Sequence, residues 1–160
     1  MARTIATTKT VPLEELLEFV RPRHHMLWVT ERADGRPQLS PVTAGVDEAG
    51  RIITSTYPGR AKTRNAERRS PGSVCVLSDD FGGPWVQVDG EQEVLHMPEA
   101  EDALVEYYRC LAGEHPDWDE YRAAMRVQGK SLIRLAPTRW GPIATGGFPA
   151  DVAARLDAGA

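Results

Sequence analysis

The sequence predicts a mainly β protein: a small antiparallel barrel, closed or partly closed, with peripheral helices. Three observations carry this. Short alternating or β-branched segments succeed one another through turns. Helical periodicity is confined to the N-terminus, one short central segment, residues 98–128 and at most one short segment of the tail. Helices and strands do not alternate regularly, and no glycine-rich dinucleotide fingerprint is present, which argues against a doubly wound parallel sheet.

In chain order, "VPLEELLEFV" sets Leu13, Leu16, Leu17 and Val20 on one helical face, with Pro12 at its entrance and acids early. This predicts a helix over about 12–20 that Pro22 ends. From Met26 the period changes. "MLWVTE", an Asp34-Gly35 turn, "QLSPVTAGV", a second turn and "RIITSTY" read as three strands in meander order. Pro58-Gly59 then punctuates the chain, and "RAKTRNAERR" reads as a short helix stopped by Ser70-Pro71-Gly72. "SVCVLSD" and "WVQVDGEQEVLHM" follow as strands, with Gly90 marking a bulge or bend. Residues 98–128 form two helices, the second capped by Asp117 and stopped by Gly129, before "KSLIRLAPTRW" returns to a strand. The count is about six strands, and all 160 residues read as a single domain.

The formal net charge of −4 argues against a general nucleic-acid binder. Cys75 and Cys110 are isolated, with no zinc-ligand spacing, and read as buried or half-buried thiols. No secretory signal and no run of 18 apolar residues is found, so no membrane association is expected and the cytoplasm is the default location.

Against this acidic background, "GRAKTRNAERR" (Gly59–Arg69) carries five positive charges and one negative. It follows the hydroxyl-rich strand Thr54, Ser55, Thr56 and a Tyr-Pro-Gly turn. A helix N-terminus with free N–H groups suits a phosphate, and Arg60, Lys62 and Asn65 are placed to add side-chain donors. The alternative is a solvated face whose arginines pair with acids such as Glu67. Arg64, Arg68 and Arg69 fit solvent-facing or dimer-facing charge better.

The succession "ADGRPQLSPV", "GRAKTRN", "RRSPGSVCVL" and "WVQVDGEQEVL" resembles the split-barrel flavin- and deazaflavin-binding family related to pyridoxamine 5'-phosphate oxidase. Its branch using the 5-deazaflavin coenzyme F420 is the most similar, over about residues 24–140. The resemblance implies a six-stranded split β-barrel, a homodimer with cofactor sites at the subunit interface, and oxidoreductase chemistry on a small-molecule substrate. It implies that Arg60, Lys62 and Asn65 hold the cofactor phosphate, and that Gln38, Ser40, Pro41 and Val42 lie along the ring system. Thr54, Ser55 and Thr56 would line the ribityl chain and phosphate, and Trp85 would replace an aromatic wall that many relatives build from a Tyr pair. FMN binding by a flavin oxidase or reductase, and cofactor binding without turnover, are the alternatives.

Such chemistry needs no protein nucleophile or metal, since the coenzyme supplies the hydride. No ordered Ser/His/Asp set emerges from the sequence, and His24, His25, His96 and His115 lack partners at metal-ligand spacing. No catalytic residue is assigned. Tyr107, Tyr108, Trp118 and Tyr121 fall on the two long helices, as core or dimer packing or as a roof over the ring.

Overall fold

The computed structural model describes residues 3–159. In chain order they form β1 (Thr7–Lys9), α1 (Leu13–Val20), β2 (His25–Glu31), β3 (Pro37–Thr43), β4 (Gly45–Val46), β5 (Ile52–Thr56) and α2 (Ala61–Arg68). There follow β6 (Pro71–Val76), β7 (Val86–Leu95), α3 (Ala100–Ala112), α4 (Trp118–Gln128), β8 (Ser131–Trp140), β9 (Ile143–Thr145) and α5 (Ala150–Ala158). Seven strands make one antiparallel sheet in the order β3-β2-β6-β7-β8-β5-β4, and β1 pairs with β9 in a separate ribbon.

The sheet order explains the barrel. β3 and β4 stand at opposite edges of the sheet, yet only Ala44 separates them in the chain. The two Cα steps across that residue reach about 7 Å, less than two strand spacings, so the sheet must curl until its edges meet. The seam is not a ladder. Thr54 Oγ1 of β5 donates to the Thr43 carbonyl of β3 at 2.9 Å, and Tyr107 from α3 donates to the same oxygen at 2.9 Å. No strand pairing joins β3 to β5 among the described residues.

Alternation along the strands sorts side chains into two cores. Met26, Trp28, Ile52, Val74, Val76, Val86, Val88, Ile133 and Leu135 fill the barrel together with Leu16 and Val20 of α1 and Ala66 of α2. Trp28 is fully buried, and its Nε1 donates to Gln92 Oε1 at 2.7 Å, so the indole packs without a polar orphan. The opposite faces of β5 and β8 offer Ile53 and Leu132 to Ala100 and Leu104 of α3, with Tyr121 and Met125 of α4 around them. Each such large apolar side chain contributes roughly 1.5–3 kcal/mol.

Several boundaries follow the sequence signals. Asp117 caps α4 by accepting from the Glu120 amide at 3.1 Å, and Gly129 ends that helix in the left-handed region at φ 60°. The β7–β8 register shifts between Asp89 and Gly90, where the backbone comes so near Ala136 that a Cβ has no room. The strand count is higher than six. "QLSPVTAGV" bends at Ala44 into β3 and β4, and the polar segments of β1 and β9 become strands only through each other, with Thr7 opposite Thr145. The tail adds α5. No helix among the described residues is long and apolar enough to cross a membrane.

Candidate functional site

The seam between β3 and β5 opens into a cleft of about 500 Å³ lined by Gln38, Leu39, Ser40, Pro41, Ser55, Thr56, Tyr57, Arg60, Ala61, Lys62 and Lys130. The turn leading into α2 is tightly held. Thr63, fully buried, donates to the Tyr57 carbonyl at 2.9 Å and shares a 2.9 Å hydrogen bond with Thr56 Oγ1. Arg60 becomes the N-cap of α2, and the amides of Ala61 and Lys62 find no acceptor among the described residues.

Three cations border this opening, and none forms an ion pair among the described residues. The Arg60 guanidinium and the Lys130 ammonium lie 5.9 and 4.3 Å from the centre of the Tyr57 ring. Burial first, then the charges of Arg60 and Lys130, pulls the Lys62 ammonium below its ordinary 10.5. Such a cluster, backed by two unpaired amides, favours an anionic ligand rich in acceptor oxygens. The donor set therefore fits the phosphoryl group of a coenzyme.

Of the residues singled out in the sequence, Gln38, Ser40, Pro41, Ser55, Thr56, Arg60 and Lys62 come together here. Asn65 does not line the cleft. It is buried, donating to Thr30 Oγ1 at 3.1 Å and accepting from Arg68 Nη2 at 3.0 Å. Thr54 is buried in the seam. Val42 lines an adjoining apolar groove of about 290 Å³ with His25, Leu27 and Leu77, and Pro41 borders both spaces. Trp85 stands in a third cleft beside Trp140 and Arg139.

Lys130 and Tyr57 were missed. Lys130 is one of only three lysines in the chain and directly precedes the strand that pairs with the hydroxyl-rich segment, Thr56 opposite Ser131. That pairing is the signal that would have found it. Tyr108 packs edge-on against His115, Trp118 and Tyr121 at the end of the α3–α4 hairpin, and Trp118 does so against Tyr121. Burial, then the neighbouring Tyr107 and Tyr108, pushes the Tyr121 phenol up to about 12. The structure also aligns a set the sequence did not reveal. His96 Nδ1 lies 2.7 Å from Ser131 Oγ, and its Nε2 meets Glu67. Ser131 has no exposed surface, so its hydroxyl is out of a substrate's reach, and the three residues clasp the end of α2 to β8.

Solved structures share this architecture at low identity. A conserved hypothetical protein from Mycobacterium tuberculosis is 19% identical, with 89% of each chain covered and a TM-score of 0.70. A FAD and heme binding protein from Mycobacterium smegmatis is 16% identical over 98% of this chain and 81% of its own, at a TM-score of 0.66. An F420 reductase is 19% identical over 77% of this chain and 94% of its own, at 0.57. At these identities the likeness establishes the fold. Residues 12–144, from α1 to β9, match the sequence profile described as pyridoxamine 5'-phosphate oxidase, and on that match, with the split barrel beneath it, the chain belongs to the pyridoxamine 5'-phosphate oxidase family.

Proposed function

We propose that this protein is an F420-dependent oxidoreductase acting on a small unsaturated or conjugated substrate. The observation that carries the reading is the unpaired cation cluster of Arg60, Lys62 and Lys130 at the open seam of the barrel. Arg60, Lys62, Lys130 and the amides of Ala61 and Lys62 would take the phosphoryl oxygens. Ser55 and Thr56 line the passage beside them, and Gln38, Ser40 and Pro41 form the wall along which the ring system would lie. The coenzyme supplies hydride chemistry when bound. The protein's part is to bind, orient and exclude water. The apolar groove past Pro41, with Val42, Leu27 and Leu77, offers a flat neutral substrate a place next to that wall.

The Arg-x-Lys sequence at Arg60 and Lys62 favours the deazaflavin branch, and an F420 reductase is among the proteins of like fold. The reading includes a homodimer. The outer face of β2, β3 and β6 leaves Leu39 53% exposed and Leu27, Val29 and Cys75 half-buried. Side by side, these residues form an apolar surface suited to a second copy.

Fluorescence titration of the purified protein with F420 and with FMN tests this. F420 should bind more tightly, and Arg60→Ala with Lys62→Ala should weaken it more than about a hundredfold, two charge-assisted hydrogen bonds at roughly 1.5–3 kcal/mol each. Circular dichroism should show the fold unchanged. Tighter binding of FMN would transfer the site to flavin chemistry. A double variant that binds like the parent would remove the phosphate assignment.

A further inference from the structure

A chain of hydrogen bonds runs from the back of α2 to the wall of the cleft. Arg68 Nη2 donates to Asn65 Oδ1 at 3.0 Å, and Asn65 Nδ2 donates to Thr30 Oγ1 at 3.1 Å. Thr30 Oγ1 donates to Gln38 Oε1 at 3.1 Å, and Gln38 Nε2 donates to Ser40 Oγ at 2.8 Å. Every link points the same way.

The direction is dictated at both ends. A guanidinium has no acceptor atom, so the side of Asn65 facing Arg68 must be its oxygen. Arg68 is itself held, donating to the Glu31 carbonyl at 2.6 Å. At the other end Gln38 Nε2 also donates to the Leu39 carbonyl at 2.9 Å, and a carbonyl accepts only. Both amides are thereby oriented. The buried Thr30 hydroxyl between them accepts from Asn65 and donates to Gln38. Ser40 Oγ receives a hydrogen bond, and its own proton has no protein acceptor among the described residues. Ser40 lines the same cleft as Arg60, Lys62 and Lys130.

We propose that Asn65 is a positioning residue: acting through Thr30 and Gln38, it holds the Ser40 hydroxyl as a donor toward an acceptor oxygen of the ligand in the cationic cleft. The acceptor is a phosphoryl or ring carbonyl oxygen of the coenzyme, and this part rests on the function proposed above. The cleft is thus built of donors on both walls, and it discriminates against a ligand group that must itself donate.

Asn65→Asp tests the relay. The ionised carboxylate it introduces can only accept, so Thr30 must turn to donate to it. Gln38 then rotates its Nε2 toward Thr30, giving up its bond to the Leu39 carbonyl, and its oxygen takes the Ser40 proton. In the ligand-free full chain, the Gln38 carboxamide signals in ¹⁵N–¹H spectra should move in this variant. They should return as acidification protonates the new carboxyl and makes it a donor again. Adding Thr30→Val should abolish that response. Gln38 signals that stay in place, or that move regardless of pH or of Thr30, would overturn the relay. Should Asn65→Asp fail to fold, Thr30→Val alone must still shift the Gln38 signals, and their constancy would overturn it equally.

The binding arm uses F420, FMN and riboflavin. Ser40→Ala should cost about tenfold in affinity, a single hydrogen bond to a charged or polar oxygen. Asn65→Asp should cost as much or more, and in the Ser40→Ala background only the pH-dependent charge repulsion should remain. Full additivity of the two substitutions would overturn the proposal. Loss confined to the phosphorylated probes places the acceptor on the phosphoryl group, and loss for riboflavin as well places it on the ring. If the parent binds none of the three, the proposed function fails, and the ligand-free spectra decide the relay by themselves.

Discussion

Replacing Lys62 by Met should stabilise the ligand-free protein while impairing ligand capture. Burial, then the charges of Arg60 and Lys130, lowers the Lys62 pKa on folding below 10.5. A lysine so shifted penalises the folded state wherever it is charged. The penalty is complete below the folded pKa and fades as the pH rises to 10.5, where the unfolded chain also begins to lose the proton. Met retains an unbranched stem of similar reach and removes the charge. Because the group is only half-buried, solvent screens it and the gain at neutral pH is about 0.5 kcal/mol. For a chain of this size that is a rise of roughly 1–2 °C in Tm. The same substitution deletes a charge-assisted contact, so affinity for F420 or FMN should fall about 10- to 100-fold. Thermal melts at pH 7 and near pH 10.5, with the titrations described above, read both effects. A parent more stable than the variant at neutral pH would show that the ammonium already has a partner in the free protein, and the anion-site reasoning would fail.

Two further substitutions test the frame. Gly90→Ala should cost about 2–3 kcal/mol in urea unfolding, because the new Cβ would run into the Ala136 carbonyl and lie 2.7 Å from Leu135 Cδ2. An unchanged midpoint would show that the bulge can open. Glu101 is held below its ordinary 4.5, first by Arg126 and then by Arg122, both on α4. Its contribution is present above pH 4.5 and is lost as the pH falls through the lowered folded value. Glu101→Gln should therefore flatten the acid limb of stability against pH, and an unaltered acid limb would deny the clasp between α3 and α4.

The parts legible in the sequence are those that local chemistry decides. The spacing of Leu13, Leu16, Leu17 and Val20 announces α1, and Asp117 and Gly129 delimit α4. The Asp34-Gly35 turn separates β2 from β3, and hydroxyls followed by Pro-Gly and basic residues announce the entrance to α2. The parts that were not legible depend on partners far away in the chain. β1 has no apolar alternation of its own and is a strand because β9 lies beside it. Lys130 reaches the cleft through the β5–β8 ladder. Asn65 shows the limit of a helical wheel. Three positions from Lys62 it is a neighbour on the helix surface, yet it falls across the line at which α2 meets the sheet, and its amide turns inward to Thr30.

Ten of the eleven residues lining the cleft lie between positions 38 and 62, and the last, Lys130, is set beside them only when β8 is laid against β5, so a nascent chain that has not yet released residue 130 lacks one of the three cations of the cleft. On the function proposed above, the full cation set forms late in synthesis, and a bound coenzyme would stabilise the finished barrel by about 2.7 kcal/mol when free coenzyme stands at a hundred times its Kd. Supply of that coenzyme would then protect the finished protein from proteolysis.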